Sequence, residues 1–152
     1  MKRMYAMGIA MVFAMGVVSH ANGMTCDRNY DASLAKAVAA TVAAVAGNKP
    51  DALLAQISHD GVAFGTDGPL VSYVALQDQF QQKTGRFCDL FECGARPAPW
   101  KRLFVLGRID KQIDAAHGMA SVFINANSQD ELDLSYKFTT QCRWEITGIG
   151  VP

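Results

Sequence analysis

The sequence predicts an α+β fold, with about three N-terminal helices packed on one face of a curved antiparallel sheet. Two observations carry this prediction. In the first half of the chain, apolar residues recur at the spacing of a helix. In the second half they alternate strictly with polar residues, as in an antiparallel sheet that has one wet face. The helices are the available cover for the dry face.

Each predicted helix is bounded by residues that favour helix ends. Asp31 is expected to cap the first helix, and Gly47 to end it. A second, short helix is expected to begin at Pro50, because proline is tolerated in the first turn of a helix. Ser72 is expected to cap a third helix, which would end at Gly85.

The strands are predicted from short apolar runs and from alternation. They are residues 62–64, 103–106, 120–124, 131–138 and 142–147. Before the second of these strands, residues 85–100 form a long connection that contains two cysteines and two prolines. A structureless connection of that length is uncommon inside a compact domain unless it is functional or held in place.

Residues 1–21 are predicted to be a secretory signal peptide. Two basic residues precede an uncharged apolar run, and small residues at Ser19 and Ala21 fit a cleavage site after Ala21. A membrane anchor is disfavoured because the run is shorter than the ~20 residues of a spanning helix. Lipidation at Cys26 is disfavoured by the residues before it. We therefore expect a single α+β domain, residues 22–152, that is periplasmic or secreted and not held at a membrane.

The charge of the mature chain limits its partners. Of the fourteen basic and fourteen acidic residues, the signal holds two basic ones, which leaves twelve against fourteen and a net charge of −2. A nucleic-acid interface would need a basic stripe, so no nucleic-acid partner is expected. The remaining 131 of 152 residues are enough for one domain with one core.

All four cysteines lie in the mature part of the chain. An even number in an oxidising compartment predicts two disulfides, and three connectivities are open. The spacing favours Cys88 with Cys93, which leaves Cys26 to pair with Cys142. A zinc site is disfavoured because no second pair of close cysteines exists. We expect no metal and no other cofactor.

The order of elements resembles the nuclear transport factor 2-like superfamily, the cone-shaped fold shared with ketosteroid isomerases and SnoaL-like cyclases. The resemblance rests on the helix–helix–strand opening, where residues 50–54 lead into 58–64, on a third helix before long strands, and on the closing segment 143–149. It implies a pocket between sheet and helices, in which the enzymes of the superfamily place a carboxylate or a histidine. The fold alone implies no activity.

Two sets of residues are candidates for binding. Tyr136, Phe138 and Trp144 share the dry face of the sheet, where they either pack in the core or line a pocket for a small apolar ligand. Phe91 and Trp100 belong to the connection held by the cysteine pair, and they are expected to contact a protein partner.

No residue is predicted to be catalytic, because the sequence has no nucleophile elbow, phosphate-binding loop or metalloprotease motif. Our leading hypothesis is a non-catalytic module that binds a small apolar ligand or a protein, as an inhibitor or immunity protein does. The competing hypothesis is a small acid–base enzyme, an isomerase or cyclase. It would need His59, Asp60 or Asp114 to point into the pocket.

Overall fold

The structure is a computed structural model that describes residues 26, 29–65 and 68–151. The signal peptide predicted over residues 1–21 lies outside the described residues. The elements are, in order, α1 (Tyr30–Ala46), α2 (Pro50–Leu54), β1 (Val62–Phe64), β2 (Leu70–Val71), α3 (Tyr73–Gln82), α4 (Arg86–Leu90), a 3-10 helix (Lys101–Leu103), β3 (Ile109–Asp114), β4 (Met119–Ile124), β5 (Leu132–Phe138) and β6 (Trp144–Gly150). The α+β class is confirmed.

The six strands form one mixed sheet in the order β2-β1-β6-β5-β4-β3. The four strands β3 to β6 pair with one another in antiparallel fashion, as predicted. On its other side, β6 pairs with β1 in parallel. A wholly antiparallel sheet was therefore the wrong prediction. A parallel pair needs a long crossover between its strands, and here everything from β2 to β5 supplies it.

Helix α1 begins and ends close to its predicted bounds. The N-terminal cap is Asn29 rather than Asp31, and its side-chain oxygen accepts a hydrogen bond from the amide of Ala32 at 3.3 Å. Asp31 lies in the first turn and forms an ion pair with Lys111 of β3 at 2.7 Å. Gly47 follows the last helical residue, as predicted.

The third predicted helix corresponds to α3, which ends three residues before Gly85, and a further short helix, α4, follows it. α3 ends at Gln82 because Lys83 takes a left-handed conformation with φ of 54°, and α4 begins after Gly85, which also has φ of 54°. The connection 85–100 is therefore not structureless, since it contains α4. The described part of the chain holds four α-helices instead of about three.

The strand predicted at residues 103–106 is absent. Leu103 ends the 3-10 helix and is buried with Phe104, whereas Val105 and Leu106 are exposed. A short continuous apolar run is typical of a buried strand but also of other buried segments, so hydrophobic periodicity cannot distinguish them. Neither edge strand of the sheet was predicted: β2 has only two residues, and β3 is mostly polar.

Two disulfides join Cys26 to Cys142 and Cys88 to Cys93, which confirms the favoured pairing. The first ties the segment before α1 to the turn before β6. Among the described residues, no helix has both the length and the apolar character to cross a membrane.

Candidate functional site

A groove lies between α1, the end of α2 and the start of β6. We call it the α1–β6 groove, and its volume is about 400 Å³. Three of its lining residues are alanines, Ala37 and Ala40 on α1 and Ala55 after α2. Trp144, the first residue of β6, lines it opposite the helices. The alanines leave the space open, because each side chain is only a methyl group.

The indole of Trp144 is held in position by its neighbours. Its Nε1–H donates a hydrogen bond to Ser33 Oγ at 2.9 Å, and the Ser33 hydroxyl donates to the carbonyl oxygen of Tyr30 at 3.2 Å. The rings of Tyr30 and Phe138 lie edge-on to the indole at 5.7 and 5.1 Å. These contacts fix one wall of the groove before any ligand arrives.

The side-chain amide of Gln56 is also used within the protein. Its Nε2 donates to the carbonyl oxygen of Ala52 at 2.8 Å, and its Oε1 lies 2.9 Å from the hydroxyl of Thr41. The polar atoms of Ser33, Gln56 and Trp144 therefore have partners already. What they offer a ligand is apolar surface.

Two cationic residues complete the lining. Lys36 is exposed on α1, and Arg143 precedes β6. The Nε and Nη2 of Arg143 donate to Glu145 Oε1 at 3.0 and 2.6 Å. Glu145 is itself buried, so it holds the guanidinium in one orientation.

Of the three residues predicted to bind a ligand, Trp144 alone lines this groove. Of the two alternatives for Tyr136, the structure has the packed one: it is fully buried, and its hydroxyl donates to Thr41 Oγ1 at 3.0 Å. Burial raises the pKa of Tyr136 above its usual range, so the phenol stays neutral. Phe138 is half-buried and packs against Tyr30 at 4.9 Å, which gives it a structural role beside the groove.

The residues predicted to contact a partner are also packed into the fold. Phe91 is fully buried against Phe80 and Phe87, with ring centroids 5.7 and 5.2 Å apart, so its assignment to a contact surface is wrong. Trp100 is half-buried, and the guanidinium of Arg86 lies 5.6 Å from its ring. An apolar residue in a connection can pack into the core and hold the connection in place, and the sequence does not distinguish this from contact with a partner.

The acid–base candidates lie at the surface rather than between sheet and helices. His59 is exposed and stacks on Tyr73, with ring centroids 4.3 Å apart. Asp60 is exposed and pairs with Lys137 at 2.9 Å, and this hydrogen bond lowers its pKa. A carboxyl with a lowered pKa is a weak base, and the pocket that His59 and Asp60 line with Lys137 is at the surface.

Asp114 is in the same situation. His117 lies 2.6 Å from its carboxylate, and hydrogen bonds from this residue hold the pKa of Asp114 below its usual value. Within the described part of the chain, no three histidine, cysteine or acidic side chains are grouped so that they could hold a metal ion.

The residues on the helical side of the groove were missed from sequence. Lys36, Ala37 and Ala40 lie on the face of α1 that periodicity assigns to solvent, and alanine in a helix carries no signal of its own. Their role depends on Trp144, which is more than a hundred residues away. Comparison of the chain with protein families, with curated proteins and with solved structures finds no match.

Proposed function

We propose that the protein is an exported, disulfide-stapled module that binds a small apolar molecule in the α1–β6 groove. One observation carries the proposal: the polar atoms of Ser33, Gln56 and Trp144 are bonded within the protein. Apart from its two cationic residues, the lining therefore presents mainly alanine methyl groups and the edge of an indole. A volume of about 400 Å³ falls within the roughly 300–1,000 Å³ of small-molecule sites.

The groove can be tested with a neutral apolar dye, phenylnaphthylamine, whose fluorescence rises on leaving water. We expect the wild-type protein to bind it and Ala40→Trp to lose most of the binding, because the new ring occupies the groove from an exposed position on α1. Ala39→Trp is the matched control, since Ala39 is exposed on α1 but does not line the groove. Equal dye binding by Ala40→Trp and the wild type would contradict the proposal.

A protein partner is the second candidate, and the connection held by Cys88 and Cys93 supports it. The Arg96 amide donates to the carbonyl oxygen of Cys93 at 3.1 Å, which closes a turn whose residues 94–97 are exposed. A rigid exposed tip loses little conformational entropy on binding. The contact surface proposed here is this tip, in place of Phe91 and Trp100.

The tip can be tested by photo-crosslinking from Ala95 in an extract of cells that produce the protein. We expect one cross-linked protein, and we expect Arg96→Ala to weaken its capture while Arg102→Ala, an exposed arginine elsewhere, does not. A cross-linking pattern identical to that of a probe placed at Ala39 would rule the tip out as a specific contact.

We also propose that the fold is related to that of the nuclear transport factor 2-like superfamily. Its support is the order of elements: α1, α2 and β1 follow one another at the start, and α3 precedes the long strands. The pocket that this resemblance implies lies between sheet and helices. The groove proposed here lies at the border of α1 and β6 instead, because Tyr136 and its neighbours are packed into the core.

A further inference from the structure

We propose that the ligand of the α1–β6 groove is an organic anion, with an apolar body against the alanines and a negative group near Lys36 and Arg143. This extends the proposed function to a ligand class and rests on it.

The charge of the lining is one-sided. The groove is lined by two cationic residues, Lys36 and Arg143, and by no acidic residue. Within the described residues, Lys36 has no ion pair. The mature chain carries a net negative charge, so a cationic lining is a local feature and not a consequence of composition.

Arg143 is oriented before binding. Glu145 accepts hydrogen bonds from two of its nitrogens through one oxygen, and the side chain of Glu145 is only 11% exposed against 46% for Arg143. The guanidinium has five N–H donors in a planar fork, so three remain for water or a ligand. Because Glu145 offsets much of the charge of Arg143, Lys36 supplies most of the attraction for an anion.

Other ligand classes fit the groove less well. A cation would be repelled by both charged residues. A neutral molecule could accept hydrogen bonds from Lys36 and Arg143 but would gain no charge–charge attraction from them. An anion with an apolar body matches both the charge and the apolar lining.

The test compares anilinonaphthalene sulfonate, an anionic dye, with phenylnaphthylamine, its neutral analogue of nearly the same shape. We expect the wild-type protein to bind the anionic dye more tightly, and Lys36→Met to weaken that binding roughly fivefold, the upper range for a partly exposed ion pair. Methionine keeps the apolar stem, so binding of the neutral dye should not change. Lys49→Met removes an exposed lysine outside the groove and should leave both dyes unaffected.

Salt provides a second readout. Raising the ionic strength to about 1 M shortens the screening length to ~3 Å. This should weaken the binding of the anionic dye and leave the binding of the neutral dye unchanged. If both dyes bind the wild type equally and Lys36→Met changes neither, the anion proposal is wrong and the apolar groove stands. If neither dye binds, or Ala40→Trp leaves both unchanged, the proposed function fails with it.

Discussion

Thr41 lies where the helices meet the sheet, and it decides the character of the groove. Its hydroxyl accepts a hydrogen bond from Tyr136 at 3.0 Å and lies 2.9 Å from Gln56 Oε1. Thr41 and Tyr136 are fully buried, so their hydroxyls have no access to water and need partners within the protein. With the Gln56 amide committed in this way, the floor of the groove stays apolar.

Asp133 is the residue at which a charge is least well accommodated. It lies on the outer face of β5 opposite Gly150, and its Oδ1 is buried without a hydrogen-bond partner in the described structure. Burial, and secondarily the negative charge of Glu131, raises the pKa of Asp133. A carboxyl whose pKa is higher in the folded state than in the unfolded state lowers stability at neutral pH, where it is ionised in both.

We therefore expect Asp133→Asn to raise the free energy of unfolding at pH 7, by less than about 1 kcal/mol because the side chain is partly exposed. The gain should shrink as the pH falls through the folded-state pKa, and vanish below about pH 4, where the unfolded-state carboxyl is also protonated. Urea unfolding at pH 7 and below pH 4 measures both. Asp78→Asn, at an exposed position on α3, is the control, and an equal gain from it would contradict this explanation.

At the scale of elements, the predictions succeeded where burial is periodic and failed where it is not. The buried face of α1 and the alternation of β4 and β5 follow the pattern in the sequence. The predicted alternation fails in β6, because Glu145 is buried between the buried residues Trp144 and Ile146. Helix α3 ends at Gln82, three residues before the predicted Gly85, because Lys83 takes the left-handed conformation and lysine has no such preference. The short helix α4 was not predicted. The edge strand β3 was not predicted because it has no buried face: four of its six residues are exposed and the other two are half-buried.

The groove itself is a product of sheet topology, which no local pattern encodes. The amide of Ile146 donates to the carbonyl oxygen of Gln56 at 2.7 Å, and the amide of Ser58 donates to that of Ile146 at 2.9 Å. These parallel contacts bring the end of α2 beside the start of β6. Trp144 could be identified from sequence as a residue of the dry face, but the alanines it faces could not, because the pairing that joins them spans about ninety residues.

The whole molecule depends on its compartment, since its two disulfides form and persist where the environment is oxidising. Cys26–Cys142 closes a loop with a sequence separation of 116 residues and anchors the chain before α1 to the wall of the groove. By the chain-entropy account, such a link stabilises the fold by about 4–5 kcal/mol, and a short loop such as Cys88–Cys93 by about 2 kcal/mol. The stability of this chain is therefore coupled to an oxidising environment.

We expect the full chain, expressed in a bacterial host, to be recovered from the periplasm as a protein that begins at Asn22 and contains two disulfides. The same chain without residues 1–21, kept in the reducing cytosol, should carry free thiols and unfold at a free energy several kcal/mol lower. Intact-mass measurement and urea unfolding test both parts. The Cys26→Ser, Cys142→Ser double variant should reproduce most of this loss in the free energy of unfolding. The Cys88→Ser, Cys93→Ser double variant should show a smaller loss. Recovery of the protein with residues 1–21 still attached would contradict the export proposal, and equal stability of the oxidised and reduced chains would contradict the coupling.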